Sequence, residues 1–303
     1  MLPLYTISKN EPVYLPKFPQ IQLFMKREDQ IHPAISGNKF RKLKYNLATA
    51  KLQNHHTLLT FGGAYSNHIA AVAAAGKENG FKTIGIIRGE ELVDKIVENP
   101  TLSYAKSCGM EFIFVDRSLY RNKENPDFLN EIKRKYGRFY HLPEGGTNSL
   151  AVKGCEEILT KEDACFDYIC VAVGTGGTIS GIVNSSSNNQ TVIGFPALKG
   201  DFLVKEIKKW VNKCNWSLET GYHFNGYAKI NFQLVSFINW FKSTYGIPLD
   251  PVYTGKMMFG IVEMIKNGTF KKNARILAIH TGGLQGIAGM NQLLKKKGLS
   301  TIQ

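Results

Sequence analysis

No apolar run in this 303-residue chain approaches the ~20 residues that a membrane-crossing helix needs, so an integral helical membrane protein is excluded. The opening segment, MLPLYTISKNEPVYLPKF, has Pro and Glu where a secretory peptide needs a basic patch and then an unbroken apolar stretch. The expected location is therefore the cytoplasm. Cysteine is scarce: Cys108, Cys155, Cys165, Cys170 and Cys214 make an odd count without a CxxC pair or a Cys/His cluster at metal spacing, so reduced thiols and no metal are expected. Carboxylates are also in the minority, and Asp116 and Glu144 stand alone, without the pairing that glycoside or metal chemistry requires. There is no internal repeat and no linker long enough to separate free-moving domains.

What is present fits two packed lobes of ordinary domain size. The mass of 33.9 kDa and a 43% hydrophobic composition with 18 Phe and 13 Tyr allow a sizeable core. Lys plus Arg total 38 against 24 Asp plus Glu, a net charge of +14 that raises the question of nucleic acid. The basic residues nevertheless fall in short scattered groups such as Lys208-Lys209, Lys271-Lys272 and Lys295-Lys296-Lys297, with no RNA-binding aromatic signature or helix-turn-helix pattern. They read as a solvated surface that favours anionic small molecules. No nucleic-acid or membrane partner is expected.

Short runs rich in Val, Ile and Phe alternate with helix-like stretches, the pattern of an α/β protein with mostly parallel strands. Strands are expected at Leu58–Phe61, Thr83–Ile87, Glu111–Val115, Tyr168–Val173, Val192–Phe195 and Ile276–Ile279. Three of them run into glycine-rich turns, Gly62-Gly63-Ala64-Tyr65-Ser66-Asn67, Gly174-Thr175-Gly176-Gly177-Thr178 and Thr281-Gly282-Gly283. Such turns lie at the carboxyl edge of a sheet, where ligands bind. A helix capped by Ser66 or Asn67 follows the first turn and is alanine-rich from Ile69 to Ala75, until Gly76 and Gly80. Polar loops are expected at Lys123–Asp127 and Asn184–Gln190.

Few residues announce chemistry by themselves. The turn Gly174–Thr178, followed by Ile179-Ser180-Gly181, offers consecutive backbone N–H groups, two threonine hydroxyls and a helix amino terminus, which together suit a phosphate dianion. It is neither GxGxxG nor a P-loop. In Ser36-Gly37-Asn38-Lys39-Phe40-Arg41-Lys42-Leu43 one lysine is placed in a turn, with cations after it that lower its pKa toward the neutral amine needed for covalent catalysis. Taken alone it reads as an ordinary solvated lysine. Tyr227, Tyr253 and His280 likewise read, unaided, as amphipathic or satisfied core residues.

Together these segments resemble the 1-aminocyclopropane-1-carboxylate deaminase and D-cysteine desulfhydrase family, pyridoxal phosphate enzymes of fold type II, the tryptophan synthase β-like group. The resemblance runs from Lys26-Arg27-Glu28-Asp29 almost to the carboxyl terminus and keeps several motifs in family order: KRED, SGNKFRKL, FGGAYSNH, VGTGGTISG, FPALKGDFL, PVYTGKMM and HTGG. It implies a two-domain fold, with residues 1–40 and 149–303 forming a larger cofactor-binding domain and 41–148 a smaller mobile one. It implies pyridoxal 5'-phosphate held as a Schiff base on Lys39, with the phosphate at Gly174, Thr175, Gly176, Gly177 and Thr178. Ser66, Asn67 and His68 would meet the substrate carboxylate and the cofactor's phenolic oxygen, and Tyr227 and Tyr253 would act on the substrate.

Thr254 stands where deaminases of the family typically carry Glu, and Thr281 where they tend to have Leu. Both would put a neutral hydroxyl near the pyridine nitrogen, a weaker electron sink that favours expelling a thiolate over opening a cyclopropane. The activity implied is β-elimination from D-cysteine to pyruvate, hydrogen sulfide and ammonia, in a homodimer. The alternatives are 1-aminocyclopropane-1-carboxylate deamination, ammonia release from another D-amino acid, and a cofactor- or anion-binding protein without turnover.

Overall fold

The computed structural model describes residues 6–123 and 125–303. Its strands are β1 (Asn10–Val13), β2 (Gln22–Lys26), β3 (Thr57–Gly62), β4 (Lys82–Arg88), β5 (Met110–Val115), β6 (Tyr140–Leu142), β7 (Tyr168–Val173), β8 (Thr191–Pro196), β9 (Trp216–Leu218) and β10 (Arg275–Ile279). The helices are α1 (Asn38–Leu52), α2 (Asn67–Asn79), α3 (Pro100–Ser107), α4 (Arg117–Arg121), α5 (Pro126–Tyr136), α6 (Ser149–Cys155), α7 (Gly177–Ser185), α8 (Phe202–Lys208), α9 (Phe232–Tyr245), α10 (Thr254–Lys266) and α11 (Gly286–Lys296).

Two sheets organise these elements. The larger has the order β1-β2-β10-β7-β8-β9, parallel except for the antiparallel edge pair β1 and β2. The smaller, β5-β4-β3-β6, is parallel throughout. All six expected strands are present, and β3, β4, β7, β8 and β10 are buried along nearly their whole length, as parallel strands covered on both faces must be. Helices cover both sides: Cys170, Ala172, Ile193 and Ala278 of the larger sheet pack with α9 and α10, while Ile169, Val171, Val192, Leu277 and Ile279 pack with α7 and α8.

Several local expectations need correction. Of the two glycines expected after the alanine-rich run, Gly80 closes α2 at φ 73°, while the helix runs through Gly76 to Asn79. A Cβ at Gly76 would lie 2.2 Å from Thr83 Cγ2, so its glycine serves the close approach of α2 to β4. The expected polar loop at 184 overlaps the last turn of α7, and the one at 123 overlaps the start of α5. Lys39 lies in the first turn of α1 and not in a loop. Phe40, Leu43 and Leu47 of α1 pack with Ile31, Ile35 and the apolar face of α2, in the core of the smaller sheet. A division at residue 41 would cut that helix, and we propose that the smaller unit begins before Ile31.

Candidate active site

The family-like segment Lys26–Asp29 is a charge-paired foundation. Lys26 pairs with Asp163 at 2.8 Å, both buried, and Arg27 pairs with Asp29 and Glu11. Glu28 accepts two bonds from Arg41, at 2.8 and 2.9 Å. Breaking one partner of such a buried pair costs about 3–5 kcal/mol, so these residues set the geometry around Lys39 without touching the site.

Lys39 follows Gly37, which has φ 61° and whose Cβ would fall 2.0 Å from the Thr281 carbonyl oxygen. Only glycine permits this contact, and it docks the start of α1 on the turn after β10; the Asn38 amide donates to the same carbonyl at 3.3 Å. Lys39 thereby lines both an inner cavity and the outer cleft. Burial, with the Lys42 charge adding to it, lowers its amine to about 7.

The turn between β7 and α7 forms one wall of the inner cavity, which is lined by Gly174, Thr175, Gly176 and Thr178. Gly176 sits at φ 88° and Gly177 opens α7, aiming the free N–H groups of a helix amino terminus at the cavity. Thr178 Oγ1 accepts from Asn38 Nδ2 at 2.8 Å, tying this turn to the lysine-bearing helix. Lys42, one helical turn after Lys39, donates to the Gly145 carbonyl (2.9 Å), Thr147 Oγ1 (3.0 Å) and Thr175 Oγ1 (3.4 Å). Burial lowers its pKa to about 8. Lys42 thus brings a cation to the glycine turn. Reading the residues one by one misses this role, because the partners of Lys42 all lie on other segments.

Opposite this wall is the turn after β3. Ser66 caps α2, its Oγ accepting from the amides of His68 (3.2 Å) and Ile69 (3.4 Å). Asn67 lines both inner cavity and outer cleft, and its Oδ1 accepts from Gln285 Nε2 at 2.9 Å. His68 reaches the cleft wall, but its ring is buried and hydrogen-bonded to Thr60 Oγ1 at 2.8 Å. Burial, then the Lys39 and Lys42 charges, hold its pKa well below the usual imidazole value, so it stays neutral.

Tyr253 lines both inner cavity and outer cleft, and Tyr227 meets it edge to face at 6.3 Å while keeping 44% of its surface open to the cleft. Burial first, then the neighbouring phenol and Asp250, raise Tyr253 well above its ordinary value; burial also raises Tyr227. Both phenols therefore keep their protons at neutral pH.

Thr281 lines the inner cavity beside Gly282 and Gly283. Thr254 does not line either space, which corrects its expected place in the site beside the cofactor ring and substrate. It is fully buried, and its hydroxyl donates to Asp250 Oδ2 at 2.6 Å. Asp250, overlooked in the sequence, also accepts from the amides of Val252, Tyr253 and Thr254 and so orients Tyr253 at the start of α10. An Asp shortly before a helix start is the signal for such a cap. Nor is Glu144 isolated, since it accepts from Tyr120 and pairs with Lys123.

A neutral amine, a glycine turn at a helix start and a buried cation beside that turn converge on one cavity, and they fit a phosphorylated aldehyde. The sequence matches the model of the pyridoxal-phosphate dependent enzymes over residues 6–282. The chain belongs to that family. Within these enzymes it is 31% identical over 303 residues to the bifunctional D-cysteine desulfhydrase/1-aminocyclopropane-1-carboxylate deaminase of Arabidopsis thaliana, covering 90% of this chain and 75% of that one. It is 28% identical to 1-aminocyclopropane-1-carboxylate deaminase of Rhizobium rhizogenes, covering 89% of each. A crystal structure described as an ACC deaminase homologue superposes with a TM-score of 0.82 at 27% identity, over 97% of this chain and 95% of the other. The fold is therefore the two-sheet α/β fold of these pyridoxal-phosphate dependent lyases, and pyridoxal phosphate is its cofactor.

Proposed function

We propose that this enzyme is a D-cysteine desulfhydrase, releasing pyruvate, hydrogen sulfide and ammonia by β-elimination. The observation that carries the reading is the lining of the inner cavity, which includes Lys39, Lys42, Asn38, Asn67, Thr175, Thr178 and Thr281 but, among the described residues, no Asp or Glu. Bound pyridoxal phosphate supplies an electron sink for the α-carbon, strongest when a carboxylate keeps its ring nitrogen protonated. With only the neutral Thr281 hydroxyl available, the site suits a substrate whose β-substituent leaves readily, and a thiolate does.

In this reading Lys39, its amine lowered to about 7, takes the α-proton in its neutral form. Lys42 and the amides of Gly176 and Gly177 hold the phosphate, while Ser66 and Asn67 orient the substrate carboxylate at the amino end of α2. Tyr253 and Tyr227, both protonated, are the groups assigned to give or hold a proton at the departing side of the substrate. The homodimer is part of the same proposal and is measured by light scattering on the eluting protein.

The names of the relatives favour a second reading, 1-aminocyclopropane-1-carboxylate deamination to 2-oxobutyrate and ammonia. A panel of both enantiomers of cysteine, serine and β-chloroalanine together with the cyclopropane amino acid, scored for pyruvate and 2-oxobutyrate, separates the two. We expect D-cysteine to be processed at least tenfold faster, in kcat/KM, than the cyclopropane, about 1.4 kcal/mol of transition-state preference. A preference in the other direction overturns the desulfhydrase reading.

A further inference from the structure

Lys256 is 2% exposed, yet among the described residues no carboxylate lies within ion-pair distance of its ammonium. Nζ instead donates to two backbone carbonyls, His223 at 2.9 Å and Gly226 at 2.7 Å. A buried cation is costly and is kept only where its donors are well used. Both carbonyls belong to the turn immediately before Tyr227, and that turn is strained: Phe224, Asn225 and Ala228 have φ of 52°, 65° and 55°, with Gly226 at 114°. Side-chain-bearing residues resist this left-handed region, so the turn persists only if something outside it holds it. Within the turn, the Gly226 amide donates to the His223 carbonyl at 3.0 Å and the Lys229 amide to the Gly226 carbonyl at 3.2 Å. Lys256 draws on the same two oxygens from the far side.

Lys256 also lies on α10 one turn after Tyr253, so a single side chain connects the helix that carries one active-site tyrosine to the turn that carries the other. We propose that Lys256 is a positioning residue, a strut that holds the 223–226 turn folded and so keeps Tyr227 facing Tyr253 across the cleft. This rests on the lyase reading only for its effect on turnover, because the order of the turn is measurable without turnover.

The test compares Lys256→Met, which keeps length and removes the donors, with Lys256→Arg, which keeps donors. Hydrogen exchange of peptides spanning 222–229 is followed in the cofactor-loaded protein. We expect exchange there to rise at least tenfold in Lys256→Met, to stay near wild type in Lys256→Arg, and to be unchanged at 174–178. Cofactor absorbance should match wild type in both variants. Turnover of the best panel substrate should fall at least tenfold in Lys256→Met, and adding Lys256→Met to Tyr227→Phe should cost little more than Tyr227→Phe alone. Unchanged exchange at 222–229 overturns the strut, as do additive losses in the double variant or a loss of cofactor in Lys256→Met. If Lys256→Met does not fold, Lys256→Leu, which also lacks donors, carries the same comparison. A wild type that turns over nothing in the panel counts against the lyase reading, while the exchange result still decides the strut.

Discussion

Lys39 and Lys42 are three residues apart on one helix face, and their neighbours give them different tasks. Lys39 opens on the cavity with an amine lowered to about 7, whereas Lys42 spends its donors on Gly145, Thr147 and Thr175. When pyridoxal phosphate is added to the cofactor-free protein near pH 7 and the product is reduced with borohydride, peptide mapping should find the label on Lys39 before any surface lysine. Lowering the pH protonates the amine and should slow labelling; raising it through 7 should speed it, because a base titrates to its reactive form upward. Lys39→Ala should abolish the visible cofactor band. Lys42→Ala should leave Lys39 as the labelled residue and weaken cofactor affinity. Label on another lysine in the wild type would contradict the assignment.

The turn between β7 and α7 is proposed to hold the phosphate as an element, not through any one side chain. Its contribution is the direction of free amides, and Gly176 at φ 88° sets that direction. Val at this position is strained by its backbone angle and would bring a Cβ within 3.2 Å of Ile207 Cγ1. Gly176→Val should therefore weaken pyridoxal phosphate binding more than tenfold, or by more than about 1.4 kcal/mol. Titration of the cofactor-free variant by absorbance measures this, and an unchanged affinity would make the glycine a packing residue only. Ser66 plays a comparable part in the turn after β3, because capping α2 already engages the oxygen expected to serve the substrate.

At the scale of the molecule, the two sheets bring their glycine turns together over a cleft of about 800 Å³. That is far more than a small amino acid fills and is consistent with an entrance that closes. The two sides meet where Tyr65 of the smaller sheet's turn lies against α11. A Cβ on Gly289 would sit 2.4 Å from Tyr65 Cδ1, and Gln285 reaches Asn67. The same face carries a bond from Gln292 Nε2 to the Glu98 carbonyl at 3.1 Å. Gly289→Leu should hold the two sides apart, raising KM several-fold while leaving the cofactor band intact. Steady-state kinetics of the loaded variant checks this, and an unchanged KM would mean that approach of Tyr65 to α11 plays no part in substrate binding.

The sequence by itself determined the six long strands and the three glycine turns, because parallel strands are uniformly apolar and turns need glycine, and both signals are local. It left out β1, β2, β6 and β9, which are short, lie toward sheet edges or carry no continuous apolar run. Thr254 shows the limit of motif reasoning: its neighbour in sequence, Tyr253, faces the cavity, but the start of α10 turns Thr254 inward onto Asp250. Only the tertiary structure decided the tasks of Lys42 and Lys256. Their hydrogen-bond partners lie on other segments, as far as 133 residues away for Lys42 and 33 for Lys256, and no spacing within one element encodes a contact of that kind.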